Sequence, residues 1–374
     1  MRKFTSLGIV VAFLLAGCGG SPTSSTATGK DSEKDDSRAA AREVYDKING
    51  LTGEERTAEL VKLAEEEGEL SIYTSNTDID DLVDGFEDEY DIDVSVYRGN
   101  SESVLQRVLQ EQKAGFRGVD IIETNALELN VLGKEDYLYP YESELREQVR
   151  EEGQAESWTA SRFNVFVVGW NTDKVKPGAE PATLEELTDP RWKGQVSMEV
   201  GDVDWFTTMY QYYEDQGKSE QEIRDLFEQL AANSKVVKGH TVQGELLSAG
   251  QFSVGVSLYS HTVDKAADKG APVAWRPASG EPVQPLIVRP NGAGLMNNAA
   301  HPAAAMLFMD WELTEGQNVF RDAFRIDSIP TSTEDPLAGL EVVAVPEEEL
   351  LENPEKWDQL YAELIQGGQE VAAD

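Results

Sequence analysis

Apolar and polar positions along this chain switch repeatedly between a helical and a strand period. Between residues 38 and 67 the apolar side chains recur at helix spacing, first Val44, Ile48 and Leu51, then Leu60, Val61 and Ala64. Gly50 and Gly53 mark a break between two helices. "ELSIYT" (69–74) reads as a strand, with Gly68 ending the helix before it. Leu82, Val83, Phe86 and Tyr90 predict a helix over 79–90, and "IDVSVYRG" (92–99) a second strand. A helix over 101–114 opens on "NSES", which offers Asn and Ser caps. "VDIIET" (119–124) is a third strand and "ALELNVLGKE" the helix after it. Strands alternating with helices in this way predict a mostly parallel sheet with right-handed crossovers. Ligands on such sheets sit beyond the carboxyl ends of the strands, which here means residues 74–77, 99–101 and 123–125.

"FNVFVVGWN" (163–171) is apolar on both faces and leads into a second set of elements. These are a helix, turn and strand in "TLEELTDPRWKGQVSMEV", helices in "DVDWFTTMYQYYEDQG" and "SEQEIRDLFEQLAANS", and a strand, turn and helix in "KVVKGHTVQGELLSAG". The strand "FSVGVSLYSH" and the helix "TVDKAADKG" follow, then strands "PVAWRP" and "PLIVRPNGAGLM" and a helix opened by His301-Pro302. Trp357, Leu360, Tyr361 and Leu364 place an amphipathic helix near the C-terminus. The fold class is therefore α/β, with two units and two rows of strand ends.

Charge and cysteine usage narrow the setting. Thirty-two basic against 70 acidic residues give a net charge of -38, which argues against nucleic acid as a partner. The single cysteine, Cys18, rules out an internal disulfide. Met1-Arg2-Lys3 and the apolar run 7–16 have the layout of an export signal too short to span a bilayer. "LAGC" at its end resembles the bacterial lipobox, which predicts a signal peptide over 1–17, cleavage before Cys18 and a lipid anchor there. The polar run 18–38 is expected to be a disordered tether. The expected divisions are N-terminal helices over 39–67, a first lobe over 68–165 together with part of 288–374, a second lobe over 166–287, and a return to the first lobe with C-terminal helices over 288–374.

Signatures of catalysis are missing from the sequence: no GxSxG, HExxH or Walker A motif is present, and three histidines give little metal chemistry. "GAGLMN" has only two glycines and is no dinucleotide fingerprint. Several segments resemble a known family. "LAEEEGELSIYTS", "VYRGNSESVLQRVLQEQKAG", "VDIIETNALELNVLGKEDYLYPY", "PATLEELTDPRWKGQVSME", "GHTVQGELLSAGQFSVGVSLYS" and "HPAAAMLFMDWELTEGQ" are similar to solute-binding proteins of ABC importers, of the two-lobed periplasmic-binding type and its ferric-iron-binding branch. The resemblance covers roughly residues 60–332. It implies a type II-like fold with two α/β lobes joined by crossing strands, closing on a small-molecule or metal-chelate solute and delivering it to a membrane permease. It also implies a receptor, expected to be a monomer at the outer face of the cytoplasmic membrane, with no resident cofactor. A carboxylate-dependent enzyme is the alternative from another class.

The cleft candidates in the first lobe are Ser75, Asn76, Asn100, Ser101 and Asn125. Ser101 and Ser103 stand at a helix start, where they serve either as caps or as an anion site. The second lobe offers Asp202, Asp204, Trp205, His240, Thr241, Tyr259, Ser260 and His261. Asp202 and Asp204 beside Trp205 suit either a helix cap over a core tryptophan or a bound cation or amine, and His240-Thr241 either a turn or an anion site. In iron-binding members of the family, paired tyrosines hold ferric ion at the end of the strand matching "GVSLYSH". Here the pair is Tyr259-Ser260, leaving one tyrosine for iron. Thr77 and Asn125 fall near the positions where some members carry histidine and glutamate, and Tyr210, Tyr212 and Tyr213 lie within a helix. The expectation is a small polar or oxyanionic solute, with ferric ion as the alternative cargo.

Overall fold

The computed structural model describes residues 27–330 and 335–366, with side chains from residue 36. The export signal and Cys18 lie outside these residues.

Helices α1 (Ala27–Asn49) and α2 (Gly53–Glu67) lead into β1 (Glu69–Thr74), α3 (Ile79–Glu89), β2 (Asp93–Arg98), α4 (Ser101–Ala114), β3 (Ile121–Asn125), α5 (Ala126–Lys134) and the short β4 (Leu138–Tyr139). The long β5 (Thr159–Asn171) crosses to β6 (Val196–Glu199), α6 (Val203–Asp215), α7 (Glu220–Asn233), β7 (Ser234–Val237), α8 (His240–Ser248), β8 (Val254–Tyr259), α9 (Ser260–Asp268) and β9 (Val273–Ala274). The second long strand, β10 (Leu286–Met296), returns to α10 (Pro302–Glu312), α11 (Gly316–Asp322) and β11 (Ile326–Asp327). After it come β12 (Val342–Ala344), α12 (Glu347–Glu352) and α13 (Pro354–Tyr361).

One connected sheet runs in the order β2-β1-β3-β10-β5-β8-β6-β7. The β2-β1-β3 and β8-β6-β7 sets are parallel, as the alternation of strands and helices requires. Between them β10 and β5 pair antiparallel with each other, and each reaches into both halves. These are the crossing strands of two lobes. Their register shifts at Asn291/Gly292, where Gly292 lets β10 lie directly on β5. A Cβ on Gly292 would collide with the Thr159 carbonyl and come within 2.8 Å of Ala160 Cα.

The expected tether shortens here: α1 begins at Ala27, inside residues 18–38. The run "KDSEKDDSRAAAREV" is rich in strong helix formers, and Ala41, Tyr45 and Ile48 bury one stripe of the helix against the first lobe. Tyr45 Oη anchors that stripe by donating to the Met296 carbonyl at 3.0 Å. The predicted strand "PVAWRP" contracts to Val273–Ala274, because Pro272 and Pro277 supply no backbone N–H to a ladder.

At the other end, Trp357, Tyr361, Leu364 and Ile365 pack with Phe206, Tyr210 and Phe227 in the second-lobe core. The C-terminal helices therefore cover the second lobe as well as returning toward the first. No helix among the described residues is long and apolar enough to cross a membrane.

Candidate functional site

Two rows of strand ends face each other where β5 and β10 cross. In the first lobe the buried carboxylate of Glu123, on β3, organises the row. It accepts from Thr74 Oγ1 at 2.7 Å and from Asn76 Nδ2 at 3.0 Å, and Arg162 of β5 donates to it in a fully buried ion pair. Glu312 lies buried beside this pair. Burial, then the charge of Glu123, push its pKa well above the usual carboxylate range. Ser75 and Thr124 share a hydroxyl hydrogen bond of 3.0 Å, and Asn125 accepts from Asn291 Nδ2 at 2.6 Å.

At the edge of the row Asp78 holds two cations. Arg325 reaches it at 2.6 and 2.8 Å and also binds Thr77 Oγ1 at 2.9 Å and Asn164 Oδ1 at 3.0 Å. Lys265 of α9, in the other lobe, reaches it at 2.6 Å and so bridges the cleft.

The second-lobe row is built on β6, β7 and β8. β8 does not end straight: Ser257 stands at a left-handed φ of 57°, and its register with β5 shifts between Val167 and Gly169. Beyond this kink Tyr259 lies against the ring of His240, with centroids 3.8 Å apart, and 5.4 Å from the ring of His261. Arg289 of β10 donates to the Tyr259 hydroxyl and, at 2.6 Å, to Asp204. Burial raises the Tyr259 pKa far above that of a free phenol, although Arg289 opposes the shift.

The Asp204 carboxylate, a candidate for a bound cation, is thus already paired within the protein. Asp202 is buried and sits 3.0 Å from His240 Nε2. Burial opposes charge on His240, but the adjacent Asp202 and then Glu199 outweigh it and raise its pKa. His261 behaves oppositely. Burial, and then the positive charges of Arg325, Lys265 and Arg162, hold its pKa well below the ordinary histidine value.

Several expected residues are thus placed at the strand ends of the two rows: Ser75, Asn76 and Asn125 in the first, and Asp202, Asp204, His240, Tyr259 and His261 in the second. Trp205 is not. It is 4% exposed, edge-to-face with Phe227 in the second-lobe core, so the reading of it as a tryptophan beneath a helix start holds. Asn100 caps α4 by accepting from Ser103 N at 2.8 Å, and Ser101 lies at that helix's first turn, beside Glu128. Thr241 is exposed on the first turn of α8, while Ser260 is buried where α9 begins. Tyr210 and Tyr213 pack in the core, as their place within a helix implies.

Sequence reasoning overlooked Arg162, Arg289, Arg325, Lys265, Asp78 and Glu199, and reached Glu123 only as part of the strand end 123–125. The signal for two of them was present: "SRFNVFVV" and "PLIVRPN" each place a lone arginine inside an apolar strand, where a charge is tolerated only with a buried partner.

Comparison with known proteins places this architecture. Residues 122–337 match the family model described as bacterial extracellular solute-binding protein. The chain belongs to this family. Among curated proteins it is similar to iron uptake protein A1 of Synechocystis sp. (strain ATCC 27184 / PCC 6803 / Kazusa), at 31% identity over 151 residues. That match spans 38% of this chain and 41% of the relative, less than half of the relative's own length. Among solved structures, iron-bound HitA from Pseudomonas aeruginosa superposes with a TM-score of 0.66 at 17% identity, covering 79% of this chain and 99% of the other. AfuA from Actinobacillus pleuropneumoniae, with exogenous fructose-6-phosphate bound, gives a TM-score of 0.66 at 20% identity, covering 80% and 99%. At such identities the structures establish the shared two-lobed periplasmic-binding fold.

Proposed function

We propose that this protein is the receptor component of an ABC importer, closing its lobes on a small oxyanionic solute and handing it to a membrane permease. The observation that carries the choice of solute is the charge of the cleft. In a chain of net charge -38, Arg162, Arg289, Arg325 and Lys265 converge on the strand ends between the lobes, the first two each paired with a carboxylate, Glu123 and Asp204. At Asp78 two cations meet one carboxylate, leaving one positive charge in excess. Burial first, and then that same field, hold the pKa of His261 down. An anion entering there is attracted to both lobes and favours closure, because it makes its full set of contacts only in the closed state. The AfuA structure with fructose-6-phosphate bound offers a precedent in this fold for a phosphate ester.

The iron named in the relatives sets the alternative cargo. Against it, Tyr259 is a single phenol whose oxygen already accepts from Arg289, and Ser260 replaces its neighbour. Tyrosinate ligation needs the phenol deprotonated, and burial opposes that here. Export, cleavage before Cys18 and a lipid anchor complete the proposal, with solute captured and released unchanged. The test is a titration of the full chain with ferric ion and, separately, with hexose phosphates. We expect thermal stabilisation by a phosphate ester and no visible charge-transfer band with iron. An intense tyrosinate-to-iron band, with no response to any anion, would reverse the assignment.

A further inference from the structure

A second chemistry lies in the wall of the second lobe. Glu199 ends β6, Asp202 precedes α6 and His240 opens α8, so two strand-to-helix connections, β6–α6 and β7–α8, bring two carboxylates and an imidazole together. One ligand atom from each lies within 4.8 Å of the others. Their surroundings fix them: Glu199 accepts from the backbone N–H of Gly239 at 2.8 Å and from that of Gly201, and Tyr259 covers one face of the His240 ring. The connections carry Gly201 and Gly239, the latter at φ 93°, which lets the chain bring His240 back toward Glu199.

Two atoms in the cluster lack a hydrogen-bond partner among the described residues. Asp202 is 2% exposed, yet its Oδ2 makes no hydrogen bond, and neither does the buried Nδ1 of His240. Leaving a buried carboxylate oxygen unpaired is costly, so a group that satisfies it is called for. Asp202 Oδ1 and His240 Nε2 stand 3.0 Å apart. Two ligands about 2.1 Å from one metal, at tetrahedral or octahedral angles, stand about 3.0–3.4 Å apart, so a cation fits this separation with little movement.

We propose that Glu199, Asp202 and His240 form a binding site for a first-row divalent cation of the zinc or manganese class, with water completing the coordination. The donor set of one imidazole and two carboxylates suits such ions better than calcium, which takes more oxygen ligands, or ferric ion held by phenolates. All three ligands belong to one lobe, so the site exists whatever solute the cleft takes. A bound cation would add positive charge to the cleft wall beside Tyr259.

The test uses the full chain, freed of metal with a chelator and titrated calorimetrically with Zn²⁺, Mn²⁺ and Ca²⁺ in the absence of solute. We expect saturable one-to-one binding of Zn²⁺ or Mn²⁺, weakened at least tenfold in both Asp202→Asn and His240→Gln, with Ca²⁺ weaker than either. Asp225→Asn, an exposed acid in another helix, should bind as the wild type does. Circular dichroism checks that each variant is folded, and His240→Gln keeps the test open if Asp202→Asn is not. The proposal is overturned if neither Zn²⁺ nor Mn²⁺ saturates below about 1 mM, or if folded His240→Gln binds them like the wild type. Neither result bears on whether a phosphate ester closes the lobes.

Discussion

Replacing Lys265 by methionine probes the closing of the cleft without disturbing the fold. Its ammonium lies 2.6 Å from Asp78 Oδ1 and is a charged contact from α9 of the second lobe to the loop after β1 of the first. A hydrogen bond between charged groups contributes about 1.5–3 kcal/mol when well shielded. Lys265 is 30% exposed at its side chain, and Arg325 also neutralises Asp78, so solvent screening and the remaining cation reduce the loss to about 1 kcal/mol. Methionine retains much of the aliphatic stem, and Asp78 is left paired with Arg325, so no uncompensated buried charge results.

The loss falls on the equilibrium between open and closed lobes rather than on unfolding. About 1 kcal/mol corresponds to about a fivefold shift toward the open state, and the apparent solute affinity falls by up to that factor. Small-angle scattering of the solute-free protein reads the shift as a larger radius of gyration, while the thermal midpoint stays nearly constant. Unchanged scattering together with unchanged solute affinity would show that this bridge does not couple the lobes.

Three further outcomes follow from the same geometry. Arg162→Met leaves Glu123 buried without its cation, and urea unfolding should show a loss of about 3–5 kcal/mol. Gly292→Ala forces a Cβ into the backbone of β5 at the crossing, and should destabilise the protein by about 1–3 kcal/mol in the same assay. Glu347, pushed up to about 7 chiefly by burial, has a folded pKa above its unfolded value near 4.5. Its contribution to stability is fully present below about pH 4.5 and is lost as pH rises through about 7, so Glu347→Gln should flatten that part of the pH–stability profile.

Much of the lobe architecture was legible in the sequence because local patterns govern it. "ELSIYT" and the helix opening at Asn100 sit where periodicity and capping place them, since each depends on a handful of neighbouring residues. The strand-end rule likewise led to Ser75, Asn125, His240 and Tyr259. It could not show what those residues touch. Asp204 looked like a free carboxylate because its partner, Arg289, lies 85 positions away on a returning strand. Trp205 stayed open between core and cleft for a similar reason: helix spacing gives its face, but only packing against Phe227 decides whether that face meets solute or core. The kink at Ser257, which aims Tyr259, carries no glycine to announce it. The tether was read from composition, which does not register that the helix predicted after residue 38 extends back to Ala27.

Native mass spectrometry of the protein purified from its native source without denaturation tests the central claim most directly, since it weighs whatever the cleft carries. The account predicts a single small adduct that is lost on mild activation, identified as an organic phosphate or a related oxyanion, whose removal opens the lobes in scattering. A closed cleft carrying ferric ion alone, or a neutral or cationic solute, would contradict it.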